Sequence, residues 1–158
     1  MGEHSWIPEK VDPDLPNPAR MYDYYLGGAH NFAADRELAQ RALAAQPALA
    51  RAAQCNRHFL GRVVRYSIGA GIDQFLDLGS GIPTAGNVHQ VAQQQSPLAR
   101  VAYVDNESVA VAHSAELLLN NPNASITHAD LRDVDAVLSA PGVAGLLDFS
   151  RPIALLTV

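Results

Sequence analysis

The sequence predicts an α/β fold in which a parallel sheet is covered by helices, and three observations predict it. From Gln74 to Val158, short apolar runs alternate with stretches of helical periodicity. The first run, Gln74-Phe75-Leu76-Asp77-Leu78, breaks directly into the glycine turn Gly79-Ser80-Gly81. The first three runs also end in or beside an aspartate: Asp77, Asp105 and Asp130. Strands alternating with helices imply right-handed crossovers and parallel pairing. In such sheets ligands bind beyond the carboxyl ends of the strands. The three aspartates therefore mark the end of the sheet where a site is expected.

Length and composition agree with a packed domain. The chain has 158 residues, 48% of them hydrophobic and 17% charged, enough for a core and too apolar for global disorder. The formal net charge of −5 argues against a nucleic-acid partner, which usually meets a basic face. Cys55 is the single cysteine, so neither an internal disulfide nor a cysteine-rich metal site is possible, and no metal is expected. Met1 to Lys10 lacks a basic segment followed by an apolar run, and no stretch reaches the roughly 18 apolar residues of a membrane span. A cytoplasmic protein is the expectation.

The elements follow in order. Residues 1–18, with Pro8, Pro13, Pro16 and Pro18, read as an extended arm. Residues 19–71 form a helical segment. It opens with Arg20 to Asn31, which holds Tyr22, Tyr24 and Tyr25 followed by Gly27-Gly28, then His30 and Asn31. Composition favours a short glycine-capped helix whose tyrosines pack on the main domain over a lid above a ligand. Phe32 to Gln46 is a helix closed by Pro47, and Ala48 to Ile68 is another, stopped by Gly69 and Gly71. Leu49, Ala52, Asn56, Phe59, Leu60, Val63 and Val64 approximate its inward face. Residues 72–158 form the alternating unit. Its strands are Gln74–Leu78, Arg100–Asp105, Ala124–His128 and Ile153–Val158; its helices are Thr84–Gln95, Glu107–Asn120 and Arg132–Ser139, the last stopped by Pro141 and Gly142. The stripes Val88, Val91, Ala92 and Val111, Ala115, Leu118, Leu119 are expected to face the sheet.

A strand, a glycine turn and a helix form the wall of a nucleoside-type cofactor site. Asp105 lies 24 positions after Gly81, at the end of the second strand. An acid about 20 positions after such a turn accepts from ribose hydroxyls, which fits NAD and S-adenosylmethionine equally. Three features separate them. The NAD fingerprint has a third glycine, and here that position in Gly79-Ser80-Gly81-Ile82-Pro83-Thr84 is threonine. Asp77 would repel a pyrophosphate but suits a cationic amino-acid end. Asp130 after the third strand can accept from an adenine amino group. All three favour S-adenosylmethionine.

These residues resemble a known family. Asn17 to Gly28, Asn31 to Arg36, Gln74 to Thr84, Gly86-Asn87-Val88-His89 and Val101 to Asn106 are similar to the motifs of an actinobacterial S-adenosylmethionine-dependent methyltransferase family, formerly a domain of unknown function. The resemblance runs from about Asn17 to the last residue. It implies a class I methyltransferase, Rossmann-like three-layer sandwich, of which this chain holds about the first four of seven strands and an N-terminal helical lid. The family continues with further strands, so the chain reads as a member lacking its C-terminal part. The implied cofactor-binding residues are Asp77, Gly79, Ser80, Gly81, Asp105, Asn106, Asp130 and Leu131. The tyrosine-rich segment gains weight as a lid that meets substrate, with Tyr22, Tyr24, Gly28, His30 and Asn31 as its candidates.

The implied chemistry is in-line transfer of the sulfonium methyl to a small-molecule nucleophile, the helix after the glycine turn favouring the methionine carboxylate. No general base is assignable; His89, His113 and His128 have neither a triad-like nor a metal-like context. Two rivals stand beside this reading: a non-catalytic S-adenosylmethionine-binding remnant or interaction module, and an NAD-dependent oxidoreductase. Oligomeric state is open.

Overall fold

The computed structural model describes residues 11–83 and 86–158. The N-terminal part of the expected arm, residues 1–10, lies outside the described residues, as do Thr84 and Ala85. Helix α1 spans Pro18–Tyr25, with proline at its first position and the Asn17 side chain accepting from the Ala19 N–H at 2.8 Å. Helices α2 (Ala33–Ala45) and α3 (Leu49–Gly69) follow. The alternating unit comprises β1 (Gln74–Leu78), α4 (Val88–Gln95), β2 (Arg100–Asp105), α5 (Ser108–Leu118), β3 (Ala124–His128), α6 (Val134–Ser139), α7 (Pro141–Ala144) and β4 (Ala154–Leu156).

The four strands form one parallel sheet in the order β3-β2-β1-β4. Leu76 pairs with Ala102 on one side and Leu155 on the other. The order runs outward from β1 through β2 to β3, then returns to the opposite side of β1. That reversal opens a crevice at the carboxyl end of β1, where ligands of doubly wound sheets sit.

Period-two alternation sends successive strand residues to opposite faces. Phe75, Val101 and Tyr103 join Leu60 and Val64 of α3, Val88, Val91 and Ala92 of α4, and Leu118 of α5 in one core. Leu76, Ala102 and Val104 join Val137 of α6, Val143 of α7 and Leu147 in the other. Two helical layers therefore flank the sheet, as expected. Gln74 is fully buried and clips the loop before β4, its Oε1 accepting from the Asp148 N–H at 2.7 Å.

Several local expectations shift. The helix expected from Thr84 is described from Val88 onward, after Gly86 at a φ of +80°. Pro141 and Gly142, read as stop signals, begin the short helix α7, because proline fits a first helical turn as well as it ends one. The buried face of α3 is rotated to Ala53, Leu60, Gly61, Val64 and Ser67, leaving Phe59 48% exposed. In α5 it is Val109, Ala110, Ser114 and Leu118, with Leu119 78% exposed. Among the described residues no helix is long and apolar enough to cross a membrane.

Candidate cofactor site

The turn after β1 is built by two residues that demand glycine. Gly79 and Gly81 have φ values of +72° and +67°, the left-handed region that L side chains rarely adopt. The Gly79 N–H donates to the Val104 carbonyl at 2.8 Å, which ties the turn to the end of β2. The Gly81 N–H donates to Asp105 Oδ2 at 2.7 Å, and the Glu107 N–H donates to Asp105 Oδ1 at 2.8 Å. Asp105 is thus held rigid from both sides. A carboxylate offers about four acceptor positions, so each oxygen retains capacity for a hydroxyl donor.

Against this turn lies a cavity of about 410 Å³, within the size range of small-molecule sites. Gly79, Ser80, Gly81, Asp105, Asn106 and Glu107 form its sheet side, and Asn17, Tyr22 and Arg57 are among the residues that close it from the N-terminal helices. Two of the buried polar atoms without a hydrogen-bond partner among the described residues, Arg57 Nε and Ser80 Oγ, belong to residues lining this cavity. Such atoms are costly to leave unpaired, which is what a site shaped for a polar ligand presents. The donor set fits a nucleoside carrying an amino-acid end.

Asp77 is 5% exposed, next to last in β1, opposite Tyr103 and Leu156. Burial pushes its carboxyl up to about 7; the Arg57 guanidinium opposes the shift and the Asp105 charge adds to it. Asp77 is not among the lining residues; it is a buried carboxyl at the edge of ionisation, electrostatically joined to two residues that are.

The remaining sequence candidates divide. Asn106 lines the cavity, and its carbonyl lies 3.1 Å from His128 Nε2 across the β2–β3 pair. Asp130 follows β3, where both oxygens meet the Arg132 side chain, whose hydrogen bonds hold its carboxyl down at about 2. Leu131 is 47% exposed and lies beyond Gly79: a Cβ added there would be 3.8 Å from Leu131 Cδ2. Tyr22 lines the cavity and accepts at its hydroxyl from Asn56 Nδ2, while donating to the Ala53 carbonyl at 3.2 Å. Tyr24, Gly28, His30 and Asn31 are not among the lining residues. Tyr24 meets Gln40, and the other three organise the turn after α1 around buried Asp23. A Cβ at Gly28 would fall 1.9 Å from Asp23 Oδ1, so that glycine is required by close packing.

Sequence reading overlooked two features. Arg57 lies four residues after Ala53 and seven before Val64, both buried on α3. A cation on an apolar helical face was the available signal. The second is a buried ionic chain. Arg20 Nε donates to Asp35 Oδ2 at 2.8 Å and Arg20 Nη1 to Glu107 Oε1 at 3.0 Å. Asp35 also accepts from the Asn17 and Phe32 N–H groups, both at 2.8 Å. The N-terminal helices are thereby wired to Glu107, whose own N–H holds Asp105.

A parallel α/β sheet with a glycine turn after its first strand and an acid ending its second defines a nucleoside-cofactor-binding protein of the Rossmann-like class. The comparisons give the family. The model of the S-adenosyl methyltransferase family matches residues 4–158, and the chain belongs to that family. It superposes on the crystal structure of a candidate methyltransferase from Thermobifida fusca YX with a TM-score of 0.92 and 47% identity, over 96% of this chain and 57% of that one. It superposes on a DUF574 family protein from Streptomyces avermitilis MA-4680 with a TM-score of 0.88 and 38% identity, over 92% of this chain and 57% of that one. The chain thus spans just over half the length of these solved structures. No curated protein matches it.

Proposed function

We propose that this chain forms the S-adenosylmethionine-binding half of a methyltransferase that acts on a small-molecule acceptor. The observation that carries the proposal is the convergence of Gly79, Ser80, Gly81, Asp105 and Arg57 on one cavity at the reversal point of the sheet. The family's cofactor supplies an electrophilic methyl group on a sulfonium. The protein's part is to bind, orient and exclude water. Asp105 accepts from the ribose hydroxyls with oxygens already aligned by two backbone N–H groups. The positive-φ turn lets the backbone approach without side chains intervening. Asp77 complements the cationic end, and Asn106, Asp130 and Leu131 border the base. Tyr22 forms part of the N-terminal wall, with Tyr24, Gly28, His30 and Asn31 organising the segment that carries it.

Calorimetric titration of the 158-residue chain tests this reading. S-adenosylmethionine is expected to bind, NAD is not, and Asp105→Ala is expected to weaken binding at least tenfold by leaving both ribose hydroxyls and the Gly81 N–H without their acceptor. Equal binding of NAD, or undiminished binding by the variant, would overturn it.

A further inference from the structure

We infer that Arg57 is the residue that recognises the methionine carboxylate of the cofactor, an assignment that rests on the S-adenosylmethionine reading above. The carboxylate needs a positively charged or N–H-rich partner. The glycine-turn helix is the obvious source of N–H groups, but two of those at its start are already occupied. The Asn87 N–H donates to Gln90 Oε1 at 3.0 Å and the His89 N–H donates to the Tyr103 hydroxyl at 2.8 Å. Helix α4 also begins seven residues beyond Gly81, so its end does not directly follow the turn.

Among the described residues, the cations near the cavity are Arg20 and Arg57. Every nitrogen of Arg20 already has an acceptor: Nε is held by Asp35, Nη1 by Glu107 and Nη2 by the Leu15 carbonyl. Arg57 is different. It lines the cavity, its Nε is buried without an acceptor, and it forms no ion pair with Asp77 even though the two charges act on each other. An Nε–H beside an Nη–H is the fork that takes a carboxylate bidentately, with geometry a lysine cannot reproduce. Ser80 Oγ, likewise buried and unpartnered on the cavity wall, offers a third donor. Arg57 and Asp77 together form a charge-complementary pair for a zwitterionic amino-acid end: cation for its carboxylate, carboxylate for its ammonium.

The test compares S-adenosylmethionine with its decarboxylated analogue, which keeps the sulfonium, amine and adenosine and lacks only the carboxylate. Binding of both is measured by calorimetry to the unaltered chain, to Arg57→Gln and to Arg57→Lys, with circular dichroism of each variant. The unaltered chain is expected to bind the decarboxylated analogue about 10- to 100-fold more weakly, the range for charge-assisted hydrogen bonds. Arg57→Gln is expected to lose the same factor toward S-adenosylmethionine and nothing further toward the analogue, and Arg57→Lys to recover only part of it. The comparison of the two ligands on the unaltered chain needs no variant to fold. Equal affinity there overturns the assignment, as does an Arg57→Gln variant that weakens both ligands alike. No binding of either ligand by the folded, unaltered chain overturns the cofactor reading itself, and the assignment with it.

Discussion

At the scale of single residues, Asp77 is where stability and binding conflict. A carboxyl inside a strand is costly to ionise, and burial raises Asp77 to about 7 from 3.8 in spite of Arg57. The folded chain therefore keeps a proton there that the unfolded chain releases. Folding stability contributed by this group falls as pH rises from about 4 to about 7 and is level above that. His89 and His113, both lowered by burial, contribute with the opposite slope, since they resist protonation when folded. Subtraction isolates Asp77. Asp77→Asn is expected to match the unaltered chain near pH 4 and to exceed it by a few kcal/mol at pH 8, measured by urea unfolding without ligand. The same substitution is expected to weaken S-adenosylmethionine binding by tenfold or more, as it removes the charge opposite the cation. A variant no more stable than the parent at pH 8 would show that Asp77 is paired rather than strained. The carboxylate in an apolar strand was plain from the amino-acid order alone. Its near-neutral titration was not, because that depends on how completely tertiary packing buries the carboxyl, with Arg57, from a helix 20 residues earlier in the chain, opposing the shift and Asp105 adding to it.

At the scale of elements, the N-terminal helices are fixed to the sheet unit by charge as well as by apolar contact. Arg20 and Asp35 are almost wholly buried, and Arg20 also stacks on the Phe32 ring at 4.9 Å. Removing one member of a buried ionic group leaves its partners desolvated and unpaired, typically at a cost of about 3–5 kcal/mol. Arg20→Met keeps the volume and removes the fork. It is expected to lower the unfolding free energy by that amount, read as a lower urea midpoint, and to weaken cofactor binding, because Glu107 positions Asp105 through its N–H. Arg20→Lys is expected to rescue little, since one ammonium cannot meet Asp35, Glu107 and a carbonyl together. An unchanged midpoint in Arg20→Met would refute the view that these ions hold α1 in place. None of this is legible in sequence: Arg20 and Glu107 are 87 residues apart, and no spacing rule connects them. The elements themselves were legible, and β1, β2 and β3 have the bounds read from their apolar runs. The helical faces of α3 and α5 were less so. Each carries apolar residues around more than half its circumference, and packing against the sheet, not periodicity, selects the buried stripe.

At the scale of the whole molecule, the cavity is shared between two parts of the chain that are remote in sequence. The sheet unit supplies the glycine turn and Asp105; the N-terminal helices supply Tyr22 and Arg57. The first half of the site was visible as motifs because strand, turn and acid are consecutive or regularly spaced. The second half was visible only as a tyrosine-rich segment, because contacts between α1 or α3 and the turn are set by tertiary packing. A ligand touching both parts should link their local stabilities, since any ligand that binds only the closed arrangement stabilises it by mass action, about 2.7 kcal/mol at a concentration 100 times its dissociation constant. Amide hydrogen exchange followed by mass spectrometry reads this directly. With saturating S-adenosylmethionine, peptides covering residues 79–81 are expected to slow together with those of α1 and of α3 around Arg57, while the exposed residues 149–152 before β4 change least. Slowing confined to the sheet unit would mean that the N-terminal helices stand beside the cofactor without gripping it, and that Arg57 and Tyr22 line the cavity for another purpose.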